Sequence, residues 1–414
     1  MLLSAQSHTQ YELRLYDDIL LMFTVLRDAF GTASVMLDEV STRDRHLLPL
    51  PLWPDITSGT RLQDWLDTRV IPKNRKFVDQ ILAQAGITDN STFGVIDVCL
   101  GLSVNDAYWV TPTGFEGTWT DYNLFENDLD EALALVAYTG FTTSQKHKAG
   151  LSTEWTTNGQ FPKAWRRING SLQLYKGGTE GYANAGMEPY SEYFAAQAAK
   201  AFGINHVSYG LAEWKGKLAS VCPLMHDPAM AFVPFWTATE QSRFPATLET
   251  ARRISDNVFE SLRTMYVFDA LVCNTDRHAN NFGFLRDNAT GKLTGFAPLF
   301  DHNLALFPND MEQDFASWTE QGSIRRPAGS NLSFDSVVSL VMSEAHHEAL
   351  RKMIGFQFEN HPQYPVSSKR LDALNRFIST RIRQLLAIAP ADDRRLISNL
   401  KDVLPVDTVI PACC

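Results

Sequence analysis

The stretch Leu271-Val272-Cys273-Asn274-Thr275-Asp276-Arg277-His278-Ala279-Asn280-Asn281 turns from apolar to polar within a few residues. An apolar helical pattern ends at Cys273, and carboxylate, imidazole and amide side chains follow at once. Two strand-like runs come next, Phe282 to Arg286 and Lys292 to Phe300, around the turn Asp287-Asn288-Ala289-Thr290-Gly291, and Asp301 closes the passage. At roughly 3.3 Å per residue the two arms are nearly equal in length, so the hairpin predicts that Asn281 and Asp301 meet at its open end with Asp276 close by. An amide oxygen beside a carboxylate is a hard-oxygen pair suited to magnesium, which takes few protein ligands and fills its shell with phosphate and water. Asp276, five residues before Asn281, is placed to accept or orient the proton of an attacking hydroxyl. Asp276 is therefore a candidate catalytic residue, and Asn281 and Asp301 are candidate metal ligands. His278 is a second catalytic candidate, as base or ligand; alternatively it ties the loop to the backbone near Asp301.

The Asp-x-x-x-x-Asn spacing with a later Asp on metal is that of the protein-kinase catalytic loop. Alone it is common, and its place after a helix and before a hairpin ending in Asp is what gives it weight. Asn274-Thr275-Asp276-Arg277-His278-Ala279-Asn280-Asn281-Phe282-Gly283, followed by Phe296-Ala297-Pro298-Leu299-Phe300-Asp301, closely resembles the signature of the HipA-like serine/threonine kinases, relatives of the protein kinase and phosphoinositide kinase fold. The resemblance implies an ATP- and magnesium-dependent enzyme that transfers the γ-phosphate to a protein hydroxyl. Asp276 would be its catalytic aspartate, and Asn281 and Asp301 would sit on magnesium. Asp301 is followed by His302-Asn303 rather than Phe-Gly, so regulation by a flipping Phe is not expected.

The resemblance also implies a lysine at the end of a strand to hold the α- and β-phosphates, then a helix carrying a glutamate. Leu172-Gln173-Leu174-Tyr175-Lys176 meets the first description. On the next helix Glu192, Ala195, Ala199 and Phe202 share a face. A charge on an apolar stripe needs a partner, and Lys176 is the expected one. Glu188, the rival carboxylate, precedes Pro189 and is placed outside the helix. The apolar strand Leu218 to Cys222 runs into Pro223-Leu224-Met225, the expected interlobe hinge, so Cys222 and Leu224 are candidates for the adenine edge. The mobile loop over the phosphates falls around Ser152 to Lys163, with Ser152, Thr153, Thr156 and Thr157 as candidates for inhibitory phosphorylation. It holds a single glycine, unlike the ordinary Gly-rich loop. Gly177-Gly178 follows the lysine and no Walker-type motif occurs.

Several elements must hold these residues in place. Asn169-Gly170 is a turn signal between Ala164–Ile168 and Ser171–Lys176, which predicts a hairpin. Pro189 opens a helix that runs to Phe202 and stops at Gly203. Glu249 to Ala270, Phe334 to Phe358 and Ser367 to Ile388 read as three long helices, Thr92 to Val98 as a strand, and Arg61 to Arg69 and Lys73 to Ala85 as short helices. The polar stretch Phe141 to Gly150 is the expected internal boundary. The element order is a strand-rich part with one helix, then a helix-rich part with one hairpin. With the resemblance this implies an α+β, bilobal protein-kinase-like fold with a strand-rich N-lobe (146–225) and a mostly helical C-lobe (226–405). An additional mixed α/β region (1–145) precedes it. Within that region Gly101-Leu102-Ser103-Val104-Asn105-Asp106-Ala107-Tyr108-Trp109 resembles a stretch of some HipA-like proteins, with no chemical role attached.

The chain has 414 residues, 44% hydrophobic and 20% charged, enough for a large core in two or three units. Its longest apolar run, Ile19 to Leu26, is too short for a bilayer, and no signal-peptide pattern opens it, so a cytoplasmic protein without membrane contact is expected. The formal net charge of −10 disfavours direct nucleic-acid binding, whose affinity comes from neutralising phosphates. Five scattered cysteines suit reduced thiols, and the Cys413-Cys414 pair reads as a tail. The partners implied are a protein substrate and the small helix-turn-helix antitoxin that often restrains HipA-like kinases. A catalytically weak nucleotide-binding regulator, a pseudokinase on the same fold, is the alternative. A two-metal phosphatase would need further acidic and histidine ligands that the chain does not offer.

Overall fold

The computed structural model describes residues 7–28, 32–41, 44–53, 56, 58–142, 150–157 and 159–391. Most of the expected boundary at Phe141 to Gly150, and the Cys413-Cys414 pair, lie outside them. The chain is a mixed α+β fold with antiparallel sheets and thirteen α-helices among the described residues. Two compact units divide it: Met1–Lys176 with His226–Phe232 and Arg286–Leu293 form the first, and Gly177–Met225, Val233–Leu285 and Thr294–Cys414 the second.

The first unit contains β1 (Ser7–Leu15), β2 (Asp18–Arg27), β3 (Ala33–Val40), α1 (Gly59–Asp67), α2 (Val78–Gln84), α3 (Thr92–Cys99), β4 (Tyr108–Pro112), α4 (Trp119–Tyr122), α5 (Glu131–Thr139), β5 (Lys163–Ile168) and β6 (Ser171–Gly177), the last crossing out of the unit by one residue. Four strands form a sheet of order β3-β2-β1-β4. On it Tyr11 stacks against Phe23 at 5.5 Å and meets Phe93 of α3 at 5.8 Å. Thr92 to Val98 is therefore helix, not the strand its short apolar run predicts. Ser91 caps it by accepting from the Gly94 N–H at 3.1 Å, and a run of this length serves either element until its contacts decide. Of Lys73 to Ala85, only Val78–Gln84 is helical. The Asn169-Gly170 turn forms as predicted, with Ile168 opposite Ser171 and both turn residues at positive φ (50° and 80°).

The Gly101 to Trp109 stretch, a loop running into the start of β4, wraps around one buried guanidinium. Arg69 donates to the Gly101 and Tyr108 carbonyls, both at 2.9 Å, and to the two Asp106 carboxylate oxygens at 2.7 and 2.8 Å. The indole of Trp109 donates to the Tyr16 carbonyl at 2.6 Å. A further buried arginine, Arg286, donates to the Tyr108 hydroxyl, to the His46 carbonyl at 2.6 Å and to the Gly291 carbonyl at 2.8 Å. Every one of these groups belongs to the first unit.

The second unit holds α6 (Glu188–Phe202), β7 (Gly210–Trp214), β8 (Lys217–Pro223), β9 (Met230–Pro234), α7 (Phe235–Thr239), α8 (Ala246–Ile254), α9 (Asp256–Val272), β10 (Gly283–Asp287), β11 (Leu293–Phe296), α10 (Trp318–Ile324), α11 (Phe334–Val341), α12 (Glu344–Lys352) and α13 (Ser368–Leu386), with the outer ends of β9, β10 and β11 counted in the first unit. Helix α6 starts one residue earlier than read, so Glu188 is its first residue rather than outside it. Gly203 caps it at φ 85°. The single helix expected over Glu249 to Ala270 is two. Ser255 is extended, and its hydroxyl accepts from the Val258 N–H at 3.2 Å as the cap of α9. The expected Phe334 to Phe358 helix likewise divides into α11 and α12, where Ser343 opens a new cap. From Met265 to Val272 every residue of α9 is buried, as befits a helix enclosed on all sides. It packs against α6, α8, α10, α11 and α13. This central helix delivers the polar loop.

Candidate active site

Helix α9 ends on Cys273 in the left-handed conformation, φ 53°. The Asp269 carbonyl accepts the N–H groups of both Cys273 and Asn274, the latter at 2.8 Å, while the Asp269 carboxylate accepts from the Asn274 side-chain amide at 3.0 Å. One aspartate thus terminates the helix and starts the loop. The Asn274 side-chain oxygen then accepts from the Asp276 N–H at 3.3 Å. Half-buried Asp276 gives its carbonyl to the His278 N–H at 2.8 Å and to the Asn281 side-chain amide at 3.3 Å. Because the amide nitrogen of Asn281 is committed to that carbonyl, its oxygen is the end a hard cation would use.

Arg277 joins this loop to the end of the hairpin. Its Nε and Nη2 donate to the two Asp269 oxygens at 3.0 and 3.1 Å. Its Nη1 donates to the Asn281 carbonyl at 2.9 Å and to the Phe300 carbonyl, one residue before Asp301. Both side chains of the pair are fully buried. Burial alone would lower the Arg277 pKa, but the Asp269 carboxylate, with Asp301 and Glu192 beyond it, raises it above the ordinary value. A buried ion pair of this kind is tolerated only with excellent geometry, and the two-pronged fork supplies it.

The hairpin forms, but its second strand ends at Phe296 rather than Phe300, with the Ala297 N–H donating to the Gly283 carbonyl at 2.8 Å. Gly283 has no room for a side chain: a Cβ there would lie 2.1 Å from the Val233 carbonyl oxygen and 2.8 Å from the Phe235 nitrogen. That close approach lets the Phe282 carbonyl accept from the Phe235 N–H at 2.9 Å. Asp301 sits at φ 58°, and its N–H donates to the Tyr209 hydroxyl at 3.2 Å. Burial, then the neighbouring Glu192, Cys222 and Asp301, push the Tyr209 pKa well above its ordinary value, so the phenol stays protonated. Next along the chain, the His302 N–H donates to the Glu192 carboxylate at 2.7 Å.

Hydrogen bonds thus tie Asp276 to Asn281, Asn281 through Arg277 to Phe300 beside Asp301, and His302 after it to Glu192, all within the second unit. Cys222 is buried near the end of β8 and Leu224, half-buried, follows it. Lys176 is buried, the last residue of the first unit, and lies directly across the β5–β6 pair from Lys163. His278 is exposed, its Nδ1 accepting from the Asn280 N–H at 3.4 Å. The tie to the backbone beside Asp301 is made instead by Arg277. Sequence reasoning passed over Arg277 and Asp269, although an acid inside an apolar helix eight residues before an arginine was a signal for a buried pair.

The segment expected over the phosphates is folded into the first unit. Ser152, Thr153, Glu154, Trp155 and Thr156 are all buried. Trp155 joins a core with Ile71, Ile81, Val95, Leu133 and Val136. Glu154 pairs with fully buried Arg75, and the Thr156 hydroxyl donates to the Leu102 carbonyl at 3.1 Å. Among the described residues no group of three or more His, Cys, Asp or Glu side chains is gathered as a metal site. Asn281 and Asp301 suit a cation that takes most of its oxygens from a bound phosphate chain, which is magnesium chemistry.

The profile of the HipA-like C-terminal domain matches residues 146–355, half of the chain. Among solved structures, the Shewanella oneidensis MR-1 HipA of a toxin–antitoxin complex with HipB and operator DNA is similar over 95% of this chain and 100% of its own, at 15% identity and a TM-score of 0.53. The proinflammatory kinase CtkA of Helicobacter pylori is matched over 59% of this chain and 94% of its own, at 17% identity and a TM-score of 0.48. No curated protein sequence matches the chain. No helix among the described residues is long and apolar enough to cross a membrane.

Proposed function

Because the chain belongs to the HipA-like C-terminal domain family, we propose that it is an ATP- and magnesium-dependent serine/threonine protein kinase with a bilobal kinase-like body. The observation that carries this reading is the single Arg277 nitrogen shared by the Asn281 and Phe300 carbonyls. It fastens the backbone of Asn281 to the backbone one residue before Asp301, which supports reading the two as neighbours. In this reading Asp276 accepts or orients the proton of the substrate hydroxyl as it attacks the γ-phosphorus. Asn281 and Asp301 hold magnesium, which neutralises phosphate charge when bound. Lys176 meets the α- and β-phosphates, and the backbone at Cys222 and Leu224 reads the adenine edge. Glu192 fixes the chain after Asp301 through the His302 N–H. The substrate is a protein hydroxyl. A HipB-like protein partner is proposed from the Shewanella complex, and with it a toxin–antitoxin setting.

The test is transfer of labelled γ-phosphate from ATP to the protein or an added protein substrate. Asp276→Asn is expected to abolish transfer while ATP–magnesium binding persists. Asp301→Asn, which the left-handed backbone at φ 58° accepts, is expected to abolish both. Absence of phosphate incorporation together with absence of magnesium-dependent ATP binding in the unmodified protein would end the kinase reading. The burial of Ser152 to Thr156 favours one second reading, a nucleotide-binding regulator. That reading predicts binding without transfer.

A further inference from the structure

We infer that Arg277 is a positioning residue whose guanidinium, clamped by Asp269, sets the spacing of the Asn281 and Asp301 arms and thereby the magnesium requirement of the reaction. The inference rests on the kinase reading and adds to it a residue that touches neither nucleotide nor metal. Three segments meet on one planar group: the last turn of α9 through Asp269, the end of the loop through the Asn281 carbonyl, and the hairpin exit through the Phe300 carbonyl. Their bonds take Nε, Nη1 and Nη2, all three nitrogens of the guanidinium. A lysine ammonium has no planar fork and cannot reproduce the set. Asp269 is in turn fixed by Asn274, so the clamp is rigid on the helix side. Groups behind a metal's own ligands commonly change its affinity by about 10- to 100-fold.

A buried ion pair has a plain alternative role, holding the fold together, and the experiment separates the two. Arg277→Met with Asp269→Leu replaces the pair by apolar side chains of similar size, an exchange that buried pairs often tolerate in stability. It removes the donors to Asn281 and Phe300 all the same. Magnesium chloride is titrated against full-length protein at fixed ATP, following phosphoryl transfer, and ATP binding without magnesium is measured alongside. The expected result is a folded double variant with unchanged magnesium-free ATP binding and a magnesium midpoint raised about tenfold or more. A folded double variant with the wild-type midpoint overturns the inference and leaves the kinase reading standing. A wild-type protein that neither transfers phosphate nor binds ATP with magnesium overturns both. Should the double variant not fold, Arg277→Lys is read on the same titration. There a raised midpoint supports the inference and an unchanged one overturns it.

Discussion

A neutral imidazole is what the first turn of α12 requires of His346. Its Nδ1 accepts from the Ser343 N–H at 3.1 Å, and its Nε2 lies 3.0 Å from the Thr264 hydroxyl. Burial first, then the nearby Arg263 and His347, lower its pKa from 6.5 to about 4. The unfolded chain takes up this proton near pH 6.5 and the folded chain does not. The stability contributed is therefore complete above pH 6.5 and is lost as the pH falls toward about 4. The loss approaches about 3 kcal/mol at its acid end. His346→Gln keeps a side-chain acceptor at this capping position without a titrating group. Urea unfolding at pH 7 and pH 4.5 is expected to show a smaller acid penalty in the variant than in the wild type.

Elements that depend on neighbours in sequence are legible in the sequence itself; those that depend on distant residues are not. The β5–β6 hairpin follows from Asn169-Gly170, and α6 from Pro189 and Gly203, because turn and cap chemistry is local. The pairing of β10 with β11 was readable for the same reason. Thr92 to Val98 misleads because its apolar residues suit a strand as well as the helix that Ser91 caps and Tyr11 receives. The meaning of Gly101 to Trp109 lay in Arg69, far upstream, and the fate of Ser152 to Thr156 in Arg75 and the core around Trp155. In the proposed site, Asp276, Asn281 and Asp301 are read from spacing alone, whereas the Asp269–Arg277 clamp needed the end of α9 to be located first. Gly283 belongs to this scale, since its bare Cα lets β10 lie against Val233 and Phe235. Gly283→Ala forces that contact apart and is expected to cost about 3 kcal/mol. It also displaces the neighbouring Asn281. A lowered thermal midpoint together with lost magnesium-dependent ATP binding is the expected pair of readouts.

At the scale of the whole molecule, residues 1–145 hold groups that later parts of the chain need. Arg286 is buried, and two of its three acceptors, the Tyr108 hydroxyl and the His46 carbonyl, come from that region. Asn288 is buried too, donating to the Tyr16 hydroxyl at 3.4 Å and to the Pro228 carbonyl at 3.0 Å. Glu154 likewise draws its counter-ion, Arg75, from there. A fragment starting at residue 146 strands a buried guanidinium and a buried carboxylate, each costing several kcal/mol. It is expected to lack the cooperative thermal transition of the full chain, as followed by circular dichroism. In the full chain Arg286→Ala is expected to lower stability by about 2–3 kcal/mol.

Asp301, at φ 58°, carries a consequence for how this protein can change over generations. Most side chains are disfavoured in that backbone region, while Asp, Asn and Gly occupy it at little cost. Asn and Gly are also each one nucleotide change away from an Asp codon. Among the single-nucleotide changes from an Asp codon, those to Asn and Gly thus remove the negative charge while suiting the backbone conformation. If Asp301 serves the proposed kinase, descendants that lose the activity are expected to persist as folded protein, with Asn or Gly at 301 more often than Ala or Val.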